Sequence, residues 1–169
     1  MGSRRRARAI ALQILCAMER QPDLTVDQAI GLYFRHLAPG TTPGGDEAED
    51  DGDALDDAAD AAAPLTPGTE GADSRRFSED LVRGVKGAAG ELDELLTRCS
   101  RNWRLERMSW VDRNLLRLAS YELSRRSDTP ARVAINEAIE VAKRYGTTES
   151  PAFINGVLDR VLGEIGRSA

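Results

Sequence analysis

Asp112-Arg113-Asn114-Leu115-Leu116-Arg117-Leu118-Ala119-Ser120-Tyr121-Glu122-Leu123 is the stretch that decides the fold. Its apolar residues recur at helical spacing, which marks a helix with a buried face. Ser109-Trp110-Val111-Asp112 has the form of a capping box and sets the start, with the end near Arg126. Two more such helices follow. Pro130 opens the first and Gly146 lies just past its end, an expected asymmetry. Its stripe is Ile135, Ala138, Ile139, Ala142 and Tyr145. Ser150 as N-cap and Pro151 at the first position start the last helix, whose core face is Ile154, Val157, Leu158, Val161, Leu162 and Ile165.

Working back to the N-terminus, Ala7, Ile10, Ala11, Ile14, Leu15 and Met18 make one stripe of a helix from Ser3 to about Gln21. Pro22 stops it. Thr25 with Gln28 caps a second helix that runs to about His36, before Pro39, Gly40 and Pro43. Phe77, Leu81, Val85 and Ala88 mark a third helix, ended by Gly90; Leu92, Leu95, Leu96 and Cys99 mark a fourth. Trp103, Leu105 and Met108 read as a packed connector. No period-2 run or hairpin signal occurs. The expectation is an all-α domain of seven helices around one core, spanning residues 1–169.

One segment breaks this pattern. Residues 39–73 hold eleven acids, no Lys or Arg, and only Leu55 and Leu65 as large apolar residues. Such a stretch cannot bury enough surface to offset its ordering entropy and reads as a disordered insert. It also disguises the charge of the rest. The chain carries a net −5, but without the insert seventeen acids face 23 bases, a net of +6. A basic body with an acidic insert points toward a nucleic-acid partner.

Catalysis is not expected. His36 is the single histidine, and there is no phosphate loop, no GxSxG and no CxxC. Asp112, Glu122, Glu137 and Glu140 read as caps or solvated faces. Neither a metal nor a cofactor has a ligand set. Cys16 and Cys99 read as reduced core thiols of a cytoplasmic protein, and no uncharged apolar run approaches membrane-spanning length.

The binding candidates lie elsewhere. Arg4, Arg5, Arg6 and Arg8 occupy the first turns of the first helix. Cations there oppose the helix dipole at about 0.3–1 kcal/mol each. Residues that cost local stability are candidates for binding, and guanidinium forks suit phosphate. Tyr145, at a helix end beside Gly146, could stack a base or could be a core-edge tyrosine. Asn136 and Asn155 read as buried amides that hydrogen-bond between helices.

The runs Tyr121–Asp128, Ala134–Glu140 and Phe153–Asp159, with the opening Arg-Arg-Arg-Ala-Arg, resemble the NusB family of transcription antitermination factors. The resemblance implies a NusB-like fold of two perpendicular helical bundles and a non-enzymatic role. It implies pairing with NusE, a small-subunit ribosomal protein, and binding of boxA single-stranded RNA in nascent ribosomal RNA, within a complex that helps RNA polymerase resist termination. By the same resemblance, Arg4, Arg5, Arg6 and Arg8 contact RNA, as do Tyr145 and the Gly146–Ser150 loop. Glu149 matches an acid that restrains RNA affinity, and Asp112 matches one that contacts NusE. Family members occur as monomers and homodimers. The alternatives are the related N-terminal domain of ribosomal-RNA cytosine methyltransferases and a protein-interaction domain without RNA binding.

Overall fold

In this computed structural model residues 2–37 and 69–166 are described, and they form seven α-helices. They are α1 (Ser3–Arg20), α2 (Val26–Leu32), α3 (Thr69–Gly87), α4 (Ala89–Cys99), α5 (Trp110–Arg125), α6 (Ala131–Tyr145) and α7 (Ser150–Glu164). A π-helical turn, Tyr33–Leu37, extends α2, and a 3-10 turn, Leu105–Arg107, precedes α5. No strand occurs among the described residues. None of the described helices is long and apolar enough to cross a membrane.

The expected capping box at α2 is complete. The Thr25 hydroxyl accepts from the Gln28 amide (3.2 Å) while the Gln28 side chain accepts from the Thr25 amide (2.9 Å). The box at α5 is half formed: Ser109 Oγ accepts from the Asp112 amide at 3.0 Å, with no reciprocal bond from the Ser109 amide to the Asp112 carboxylate.

Several boundaries differ from the sequence expectation. The predicted disordered insert, 39–73, lies outside the described residues up to 68, but α3 begins at Thr69 rather than near Ser74. Ser74 is already buried, and its hydroxyl donates to the Ser3 carbonyl at 3.1 Å, docking α3 onto the start of α1. The break between α3 and α4 falls at Ala88, and Gly90 lies inside α4. A glycine in a helix costs only about 1 kcal/mol. Burying Leu92, Leu95, Leu96 and Cys99 outweighs that. Ser150 is the first residue of α7 rather than its cap; its buried hydroxyl accepts from the Thr147 amide at 2.9 Å and closes the preceding turn.

The core divides into two clusters. One holds Leu96, Leu115, Leu116, Leu123, Ile154 and Leu158; the other holds Ile14, Leu15, Ile30, Leu81, Val82 and Leu118. Helices α1 and α5 serve both, since Leu12 belongs to the first cluster and Leu118 to the second. Every residue from Ala7 to Leu12 is 4% exposed or less. A helix buried on all sides is a central helix, and α1 fills that place.

Two expectations about polar residues fail. Asn136 and Asn155 are both exposed. The buried amide is Asn114, whose Nδ2 donates to Glu19 Oε2 (2.6 Å) and to the Trp110 carbonyl (2.9 Å). Leu105 and Met108 are buried as expected of a packed connector, but Trp103 is 60% exposed. Cys16 and Cys99 are free thiols.

Candidate nucleic-acid interface

The arginines at the start of α1 do not form one uniform basic face. Gly2 caps the helix without a side-chain bond, and the first turn contains no acid. The compensating carboxylates come from other helices. Arg5 makes a two-pronged contact with Glu137 of α6, Nε to Oε2 and Nη2 to Oε1, both 2.8 Å. Those bonds hold the Glu137 carboxyl below its usual range. Arg8 makes the equivalent contact with Glu122 of α5, at 2.8 and 2.6 Å, and comes within 3.9 Å of Glu137.

Arg8 is 2% exposed, so it does not reach the surface where the sequence reading put it. Glu122 explains why: it sits on the apolar stripe of α5 beside Ala119 and Leu123, where an acid requires an internal cation. Arg4 is the exposed member, 4.0 Å from Asp128. Arg6 is half-buried. Phe77 of α3 gathers three guanidiniums: Arg4 at 5.4 Å, Arg8 at 5.5 Å and Arg126 at 4.7 Å from its ring centroid. Each contact is within the range of a cation–π interaction. Composition gave no hint that this ring would organise the cluster.

Tyr145 belongs to the same seam. Its hydroxyl accepts from Gln13 Nε2 at 3.3 Å, and burial pushes the phenol pKa up. Arg5–Glu137 and Gln13–Tyr145 are both separated by 132 residues. The equal offset means that α1 and α6 run parallel and in register. With a rise of 1.5 Å per residue, the two contacts lie about 12 Å apart along the seam. Arginines mark one end, and Tyr145 with the following loop marks the other.

That loop is tightly built. A Cβ at Gly146 would lie 2.5 Å from Ser150 Oγ and 2.9 Å from the Ala142 carbonyl. The backbone φ of −92° is ordinary, so the requirement for glycine is steric. Glu149 is exposed at the start of α7.

Asp112 lies apart from this seam, in the first turn of α5. One carboxylate oxygen, Oδ1, is buried with no hydrogen-bond partner. Nearby, Arg20 lies 5.4 Å from the ring of the exposed Trp110, and the Cys16 thiol donates to the Trp110 carbonyl at 3.6 Å. Among the described residues, no cluster of His, Cys, Asp or Glu is placed to hold a metal ion.

Fold and site together define a class: an all-α domain with a central helix that gathers arginines at its N-terminus. The family model for NusB matches residues 42–163. A transcription antitermination protein NusB of Sorangium cellulosum is 36% identical over 167 residues, covering 99% of this chain and 96% of the relative. That of Geobacter sulfurreducens is 52% identical over 118 residues, covering 65% and 84%. Among solved structures, NusB of T. maritima superposes with a TM-score of 0.68 at 32% identity, covering 95% of this chain and 91% of that one. A chain from the crystal structure of antitermination factors NusB and NusE in complex with dsRNA has the same fold, with a TM-score of 0.68 at 16% identity over 97% and 98% of the two chains. The chain belongs to the NusB family.

Proposed function

We propose that this protein is a transcription antitermination factor that pairs with NusE and binds boxA RNA of nascent ribosomal RNA. In that role it helps RNA polymerase resist termination. It works by binding rather than by catalysis, and it works in the cytoplasm. The observation that carries the reading is the parallel α1–α6 seam, which sets Arg4, Arg5 and Arg6 at one end and the Tyr145–Glu149 segment at the other.

On this reading Arg4, Arg5 and Arg6 contact phosphates, while Arg8 positions them by anchoring α1 to Glu122. Tyr145 stacks a base at the far end, Gly146 lets the loop close, and Glu149 limits affinity by repelling the polyanion. Asp112 is the charged contact to NusE, and NusE offers a partner for its buried carboxylate oxygen.

Fluorescence anisotropy with a boxA-containing RNA, with and without NusE, tests the proposal. Binding that tightens when NusE is added supports it. Absence of RNA binding under both conditions, with NusE pairing intact, would leave a protein-interaction domain.

A further inference from the structure

The α4–α5 connection carries features that the N-terminal cluster lacks. Arg101, Arg104 and Arg107 are all exposed. Among the described residues, none of the three makes a side-chain hydrogen bond or ion pair. Arg5 and Arg8, by contrast, are both engaged by carboxylates.

Trp103 lies between them and is the most exposed large apolar side chain described, at 60%. Its ring meets Phe153 in the first turn of α7, edge to face, at 5.8 Å between centroids. The contact braces the indole while most of its surface stays in water. Arg101, Trp103, Arg104 and Arg107, together with Glu106, line one open cleft of about 830 Å³. Glu106 is the sole acid of the connection.

An exposed, braced aromatic ring with unpaired guanidiniums around it is the chemistry of single-stranded nucleic-acid binding. The ring stacks a base and the cations hold the backbone on either side. Phe153 also ties this patch to α7, which begins directly after the Gly146–Glu149 loop. We infer that the Ser100–Met108 connection is a second RNA-contacting surface, with Trp103 stacking an unpaired base and Arg101 and Arg104 holding phosphates. The inference rests on the RNA-binding reading above and extends the RNA path beyond the α1–α6 seam.

The protein has two tryptophans. In Trp110→Phe, fluorescence therefore reports Trp103 alone. Titration with a boxA-containing single-stranded RNA should quench that emission saturably, in parallel with the rise in anisotropy. Trp103→Ala should weaken RNA binding by about 5- to 150-fold, the usual cost of losing one stacked base. Trp103→Phe should restore most of the affinity, while circular dichroism shows unchanged helicity for both variants. Replacing Arg101 and Arg104 by Ala should flatten the salt dependence, by up to about 0.7 in log–log slope per lost phosphate contact.

Wild-type affinity in Trp103→Ala, with RNA bound but emission unquenched, would overturn the second surface and leave the antitermination reading standing. Failure of the wild-type protein to bind RNA at all would overturn both. Quenching by poly-glutamate but not by RNA would overturn the RNA occupant and assign the patch to an acidic protein.

Discussion

Arg8 and Glu122 are 114 residues apart in sequence and share two hydrogen bonds inside the protein, with their side chains 3% and 1% exposed. The pair ties the central helix α1 to α5. It also removes from the surface an arginine that the family resemblance places among the RNA contacts.

Breaking this pair should therefore register as lost stability first. Arg8→Ala strands a buried carboxylate and should cost about 3–5 kcal/mol in urea unfolding. Replacing both partners, as Arg8→Met with Glu122→Leu, should recover most of the loss, because well-packed apolar residues can match a buried ion pair. A single-variant loss below about 1 kcal/mol would show that Arg8 is not an anchor.

The exposed arginine, Arg4, should behave in the opposite way. Arg4→Ala should leave the urea midpoint nearly unchanged and weaken binding of boxA RNA. The log–log salt slope should fall by up to about 0.7 for each phosphate contact removed. An unaltered slope together with unaltered affinity places the RNA elsewhere.

Acid should loosen the α1–α6 seam. The Glu137 carboxyl is held below its usual range, chiefly by its hydrogen bonds from Arg5. A carboxylate depressed in the folded state adds stability that is complete above its unfolded value, about 4.3, and is lost as pH falls through the lower folded value. Arg5→Ala should thus cost more stability at neutral pH than well below pH 4. Equal cost at both pH values would mean that the pair is not coupled to folding.

Gly146→Ala tests the tight loop. The added methyl would press on Ser150 and the Ala142 carbonyl, and such overpacking costs about 1–3 kcal/mol. The same variant should displace Tyr145 and α7 and weaken RNA binding along with stability. A neutral thermal midpoint would show that the loop has room.

Asp112→Asn separates a partner contact from a cap. The cap uses the Asp112 backbone amide, not its carboxylate, so helix stability should hold. Affinity for NusE should fall, measured by calorimetry, because a charged contact to a basic ribosomal protein is gone. Retained affinity would remove Asp112 from the interface.

Periodicity and capping residues determined the all-α class, the seven helices and the capping box at Thr25, because an amphipathic stripe and its caps are local signals written within one or two turns. The charge asymmetry was equally legible. Sequence could not say which arginines stay in water. That depends on carboxylates far along the chain, Glu122 and Glu137, which α5 and α6 bring against α1. It could not place the break at Ala88 or expose Asn136 and Asn155, because both follow from how helices pack rather than from local propensity. An acid on the α5 stripe was the one trace of Arg8's burial. Phe77, which gathers three guanidiniums, and Trp103, left in solvent beside arginines without partners, carry no signal of their own. Only the packing of separate helices, which trades desolvation against paired charge and buried apolar area, decides where such side chains end up.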